Sequence, residues 1–248
     1  ADAFAQPVWT WPHVSSTGMF FDAFADLSDE SLTGTKLLAG DGAADDWFGY
    51  SVSIDGDTMV TGAWTEDGKG TDSGSAYVFT RTMTGDLTSG WTEVAKLTAG
   101  DGAVHDAFGY SVSIDGDTVV IGAFGDDDEE SNSGSAYVFT RDTAGDLASG
   151  WTEVAKLTAD DGAELDEFGF SVSIDGDTMV VGANGNDDKG TNSGSAYVFT
   201  RDTAGDLASG WTQVAKLTAD DGAERDYFGW SVSIDGDTVV IGAKFDDD

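Results

Sequence analysis

The chain repeats itself at a fixed period of 60 residues, and that period limits what it can fold into more than any other feature. FGYSVSIDGDT starts at Phe48 and again at Phe108, FGFSVSIDGDT at Phe168 and FGWSVSIDGDT at Phe228. GSAYVFTR starts at Gly74, Gly134 and Gly194, and Lys-Leu recurs at Lys36, Lys96, Lys156 and Lys216. Residues 134–164 and 194–224 differ only at Glu153 and Gln213. This is a repeat protein, with Phe48 in repeat 1, Phe108 in repeat 2, Phe168 in repeat 3 and Phe228 in repeat 4.

Each repeat reads as four short strands. Phe48, Tyr50, Val52 and Ile54 alternate with Gly49, Ser51 and Ser53, the period of a strand with one large-residue face and one small-residue face. Asp55-Gly56 then makes a hairpin turn, because glycine accepts positive φ. The next strands are Thr58 to Ala63, Ser75 to Arg81 and Thr92 to Thr98. No segment carries a helical period. Four strands at a fixed spacing fit the blades of a β-propeller better than a solenoid, although common blade repeats run to about 40–50 residues.

The two ends predict the blade count. The chain stops at Asp248, after the second strand of repeat 4. Thr17 to Phe24 aligns with Ser73 to Thr80, and Lys36 to Ala39 aligns with the Lys-Leu strand, across a loop four residues shorter than elsewhere. Residues 18–39 are thus expected to supply the two missing strands and remove open sheet edges. The expected fold is an all-β, four-bladed β-propeller of four-stranded antiparallel blades over residues 18–248, its fourth blade completed by N-terminal strands. Residues 1–17 form an arm outside the repeats.

Composition excludes several functions. Forty-seven Asp and Glu against 11 Lys and Arg give a net charge of -36, which leaves no basic surface for nucleic acid or an anionic membrane. There is no cysteine, hence no disulfide, thiol nucleophile or cysteine-ligated metal. No apolar run approaches the roughly 18 residues of a membrane span. The 40% hydrophobic content and eight Trp are enough to bury a core. Of the acids, 38 are Asp and 9 are Glu, a bias toward turns and oxygen-rich loops.

The repeat resembles the FG-GAP repeat of the integrin α-subunit propeller and its bacterial relatives. Phe48-Gly49, Phe108-Gly109, Phe168-Gly169 and Phe228-Gly229 stand for FG, and Gly62-Ala63, Gly122-Ala123, Gly182-Ala183 and Gly242-Ala243 for GA. The proline of GAP is replaced by Trp64, Phe124, Asn184 and Lys244. The family's DxDxDG calcium loop between the first two strands is shortened here to an IDGD turn, so that site is not carried over. The resemblance implies an extracellular or cell-surface protein.

Acidic residues instead recur in register in two loops that strand direction puts on one rim. The columns are Asp41, Asp101, Asp161 and Asp221; Asp46, Asp106, Asp166 and Asp226; Asp67, Asp127, Asp187 and Asp247; and Glu66, Asp126, Asn186 and Asp246. Such carboxylates repel one another unless a cation screens them, and calcium suits flexible oxygen ligands. The same Asp also suit turns and a hydrated surface. Asp55, Asp115, Asp175 and Asp235 read as turn residues. Trp91, Trp151 and Trp211 read as packing rather than sugar platforms. No catalytic set emerges: His13 and His105 are unmatched in other repeats, and acid-base chemistry needs carboxyls in unlike environments.

Residues 1–15 match nothing else and carry Phe4, Val8, Trp9 and Trp11, an apolar set for either the chain's own propeller or a neighbouring copy. Residues 18–39 could likewise complete the blade of a second subunit. The sequence therefore reads as a non-enzymatic structural or adhesive propeller, calcium-stabilised and self-assembling as a homo-oligomer, filament or matrix. The alternatives are a glycan-binding propeller and a binding module of a larger surface protein.

Overall fold

The computed structural model describes residues 36–85, 89–127 and 129–247. These residues form fourteen strands and no helix. Repeat 1 gives β1 (Val52–Asp55), β2 (Thr58–Ala63), β3 (Ser75–Arg81) and β4 (Trp91–Leu97). Repeat 2 gives β5 (Ser111–Asp115), β6 (Thr118–Ala123), β7 (Ser135–Arg141) and β8 (Trp151–Leu157). Repeat 3 gives β9 (Phe168–Asp175), β10 (Thr178–Ala183), β11 (Ser195–Arg201) and β12 (Trp211–Leu217), and repeat 4 gives β13 (Phe228–Asp235) and β14 (Thr238–Ala243). Each of the first three repeats is one antiparallel meander, and the last is a two-stranded sheet.

The β2 and β3 bounds fall where the sequence puts them, and β4 begins one residue earlier. The first strand differs. In repeats 3 and 4 its pairing slips, Phe168 standing opposite Ala183 but Ser171 opposite Gly182. Two residues of the bulge thus interrupt the expected alternation. The phenylalanine turns into the sheet stack, where Phe108 packs edge-on against Tyr137 and Phe139, while Tyr110 joins a row of aromatic rings instead.

The sheets stack face to face in chain order, β1 against β5, β5 against β9 and β9 against β13, and no comparable packing joins β13 to β1 among the described strands. The core lies between sheets. Val60 and Val78 of repeat 1 share a cluster with Phe108, Val112 and Ile114 of repeat 2, and the next two interfaces repeat this arrangement. Arg81, Arg141 and Arg201 lie over the rings of Trp91, Trp151 and Trp211, so these tryptophans pack as expected. Leu37 is buried with Phe48, Tyr77 and Phe79. Of residues 18–39, expected to complete the fourth blade, residues 36–39 form no strand and Leu37 packs on repeat 1 instead, while residues 18–35 and the arm carrying Phe4, Val8, Trp9 and Trp11 lie outside the described residues.

Backbone contact sets the spacing between sheets. A Cβ on Gly62 would lie 1.8 Å from the Gly109 carbonyl oxygen, and one on Gly122 would lie 1.9 Å from that of Gly169. Gly109 itself has φ +90. Ser51 donates its hydroxyl to the Gly109 oxygen at 3.0 Å. The FG glycine of one repeat is therefore locked against the GA glycine of the one before it.

Alanine at Gly122 must push two sheets apart and is expected to cost more than about 2 kcal/mol, at the upper end of overpacking effects. Alanine at Gly116, which has nothing within 4 Å, meets only the strain of its φ of +54 and is expected to cost about 1 kcal/mol. Denaturant melts of the two variants check the ranking; equal losses would show that the glycine contact does not set the spacing.

Candidate rim of lysine and carboxylate clusters

The loop leading into each repeat (residues 39–47 in repeat 1) and the loop between its second and third strands (residues 64–74) meet on one rim. Thr65 donates to the Asp45 carbonyl at 2.6 Å, and the backbone amides of Gly125, Gly185 and Phe245 donate to the carbonyls of Asp106, Asp166 and Asp226. The second loop of one repeat also grips the first loop of the next. His105 and Ala107 donate their amides to the Thr71 and Asp72 carbonyls, and Lys69 donates to the Ala99 and Gly100 carbonyls.

The carboxylate columns play four separate parts. Asp41, Asp101 and Asp161 each meet a lysine from the fourth strand: Lys96 at 2.6 Å, Lys156 at 2.8 Å and Lys216 at 2.7 Å. Each also accepts the hydroxyl proton of a buried tyrosine, Tyr77, Tyr137 or Tyr197, at 2.8–2.9 Å. Glu66 and Asp126 complete the first two clusters, 3.0 Å and 3.1 Å from their lysines. In repeat 3 Asn186 holds that position but binds Ser195 and Asp166, and Asp188 supplies the second carboxylate to Lys216 at 2.6 Å.

Asp46, Asp106, Asp166 and Asp226 are buried and accept the backbone amide three residues earlier, at 2.6–3.0 Å. Asp67, Asp127 and Asp187 each accept the amide five residues later. Asp221 and Asp246 are exposed, and Asp247 lines a cavity of about 360 Å³ with Glu224, Arg225, Tyr227 and Phe245. The carboxylates that the sequence brings to one rim are thus in one neighbourhood but not in one site. A lysine ammonium, in contact with two carboxylates, stands at the centre of each of the three complete clusters. Among the described residues no three carboxylate or histidine side chains are grouped to hold a metal. As placed, these carboxylates do not fit a built calcium site.

Electrostatics follow from these partners. The Lys96 hydrogen bond holds Asp41 below the ordinary carboxylate range. Burial pulls Asp101 and Asp161 upward, but their lysines and tyrosines outweigh it and both end low. Burial also pulls Lys96 and Lys216 down, and their paired carboxylates more than reverse it. Asp106, Asp166 and Glu167 are raised by burial. Tyr77, Tyr137 and Tyr197 are raised far above 10.0, by burial first and by carboxylates second.

Sequence reading passed over two parts of this arrangement. Lys96, Lys156 and Lys216 served only as repeat markers, although their phase with Asp41, Asp101 and Asp161 carries the signal. Asp55, Asp115 and Asp175 are turn residues that also reach the next repeat, accepting the amides of Gly116, Gly176 and Gly236 at 2.5–2.8 Å. His105 is exposed, with Asp72 3.2 Å away and no catalytic partner among the described residues. Trp47, Tyr50, Trp64, Tyr110, Phe124 and Phe170 form one unbroken row of neighbouring rings.

Compared with known proteins, the FG-GAP repeat family matches residues 33–79, 91–139, 151–199 and 211–248. No curated protein matches the chain.

Lysine and tyrosine bind their protons more tightly in the folded chain, so their stabilisation is complete below the unfolded values of 10.5 and 10.0 and is lost as pH rises beyond them. Cooperative alkaline unfolding is expected to begin near pH 10, followed by circular dichroism. Tyr137→Phe, which strips a hydroxyl 2.8 Å from both Asp101 and Asp126, is expected to cost about 1–3 kcal/mol. An unchanged melt would deny the cluster a structural role.

Proposed function

The chain belongs to the FG-GAP repeat family, and we propose that it is an extracellular structural or adhesive module presenting a variable rim on a constant scaffold. The family is generally non-enzymatic and occurs typically in extracellular or surface proteins. One observation carries the reading. Residues that lock one repeat to the next, such as Gly49, Ser51, Ser53, Asp55 and Gly62, recur unchanged in all four repeats. Chemical difference is concentrated on the rim: Asp45, His105, Leu165 and Arg225; Trp47, Ala107, Glu167 and Tyr227; Trp64, Phe124, Asn184 and Lys244.

Self-assembly into a filament or matrix is the second half of the proposal, with residues 1–17 as the arm and Trp9 and Trp11 as its apolar anchors. Calcium enters as a counterion. What supports it is the charge of -36; what limits it to screening is the lysine already seated in each complete cluster. A glycan ligand is the alternative that the exposed Trp47 and Tyr50 favour, because aromatic faces beside carboxylates suit sugar rings.

Negative-stain electron microscopy of the full chain, and of Trp9→Ala with Trp11→Ala, tests the assembly. Filaments lost in the double variant are expected; monomers in every preparation would remove the assembly half. Calcium chloride and sodium chloride at equal ionic strength are expected to raise the melting temperature alike. A rise seen only with micromolar calcium would replace screening with a built site.

A further inference from the structure

The chain has six tyrosines, and four of them have fixed tasks. Tyr77, Tyr137 and Tyr197 are fully buried and donate to Asp41, Asp101 and Asp161. Tyr227 stands edge-on to Trp230 and Phe245. The remaining two, Tyr50 of repeat 1 and Tyr110 of repeat 2, meet each other. Their ring centres lie 4.9 Å apart with 41° between the planes. Their hydroxyls share a hydrogen bond.

The repeat creates this pair and confines it to one interface. Tyr50, Tyr110, Phe170 and Trp230 hold the same position in successive repeats, and each ring neighbours the next at 4.9, 4.9 and 4.7 Å. Only between repeats 1 and 2 are both neighbours phenols. The shared hydrogen bond gathers the hydroxyl ends of the two rings, and with them the carbons ortho to each hydroxyl. Trp64 stands edge-on to both, at 5.9 and 5.8 Å, and Trp47, 53% exposed, neighbours Trp64 at 5.3 Å. Tyr50 itself is 41% exposed. A one-electron oxidant therefore has two routes to the pair, directly at Tyr50 or through the indole rings. Burial first, then Tyr50 and then the charge of Glu167 hold the proton on Tyr110, so its electron and proton must leave together. Glu167, whose own proton affinity burial raises, is the base whose charge is felt there.

We propose that Tyr50 and Tyr110 form an oxidative cross-linking site, joined by a carbon–carbon bond when a peroxide-driven one-electron oxidant of the haem peroxidase class reaches the rim. Each phenol loses one electron and one proton and becomes a phenoxyl radical. The two radicals couple at their ortho carbons, and the hydrogen on each of those carbons moves to its own ring oxygen, which restores both phenols. Two electrons and two protons leave in all, and they reduce one hydrogen peroxide to two waters. The dityrosine product ties repeat 1 to repeat 2 beside the glycine contact, in a chain with no cysteine for a disulfide. It closes a loop between residues 50 and 110 and so restricts the unfolded chain, as a disulfide of that span would. This modification goes beyond the structural reading above and needs neither a ligand nor a second copy.

The dilute full chain is treated with a haem peroxidase and hydrogen peroxide, and separately with a photolysed ruthenium complex and persulfate, which needs no docking. Both are expected to give blue dityrosine fluorescence in the monomeric chain. Mass spectrometry is expected to find the peptides holding residues 50 and 110 joined, two hydrogen atoms lighter than their sum. Tyr50→Phe and Tyr110→Phe, each checked for unchanged circular dichroism, are expected to lower the fluorescence at least tenfold, and Tyr227→Phe to leave it unchanged. The linked monomer is expected to melt at a higher temperature than Tyr50→Phe treated in the same way. Fluorescence that survives in Tyr50→Phe, a main product that joins other tyrosines, or links formed only between chains would overturn the inference. So would the absence of any link with both oxidants.

Discussion

Among the described glycines a side chain has least room at Gly62, where a Cβ would lie 1.8 Å from the carbonyl oxygen of Gly109, and the same contact recurs at Gly122 and Gly169 and at Gly182 and Gly229. Much of the rest depends on it. Only glycine leaves room for the oxygen. The neighbouring Phe108 and Phe168 lie inward against Tyr137 and Tyr197, while Tyr110 and Phe170 join the aromatic row. The FG and GA signatures are therefore two halves of one contact. Each half is written in a different repeat, which is why a change in one repeat is felt in its neighbour.

The charge clusters obey a constraint of a different kind. Each joins the entry loop, the second loop, the third strand and the fourth strand of a single repeat, and so braces the repeat that the glycine contact then stacks. Repeat 3 shows what is required. Asn186 removes the second carboxylate, and Asp188, two residues on, restores it to Lys216 at 2.6 Å. What persists is a partly buried ammonium between two carboxylates, not a residue at a fixed position, as expected where an unmatched buried charge is costly. Six rim acids, Asp41, Glu66, Asp101, Asp126, Asp161 and Asp188, are thereby paired, and the large negative charge coexists with a braced loop system.

Much of this was legible in the sequence because it is local or periodic. The hairpin turn at Asp55-Gly56 and the runs Thr58 to Ala63 and Ser75 to Arg81 announce themselves through turn chemistry and β-branched residues, and the observed strands match them. The bulge was not legible, since the alternation of Phe48, Tyr50, Val52 and Ile54 continues unbroken on paper while the pairing slips. Nor was the second task of Asp55, Asp115 and Asp175, whose partners lie 61 residues away in the next repeat. The lysine clusters stood between these cases: the phase of Lys96 with Asp41 was visible, but only the fold shows that the ammonium sits where a metal was expected.

The rim varies because its backbone is held independently of its side chains. Trp47, Ala107, Glu167 and Tyr227 occupy one position with φ between 52° and 59°, a region that costs most residues energy. Four unlike side chains share it, and at three of them the loop is fixed from outside. The amides of Ala107, Glu167 and Tyr227 bind the carbonyls of Asp72, Asn132 and Asn192 in the preceding repeat. Asp106, Asp166 and Asp226 hold the other side of the turn. Side-chain identity is then free of the conformation, whereas a stacking residue such as Ile114 must satisfy two sheets at once. A chain built this way can change what it touches without changing how it folds, and the rim is where its repeats have done so.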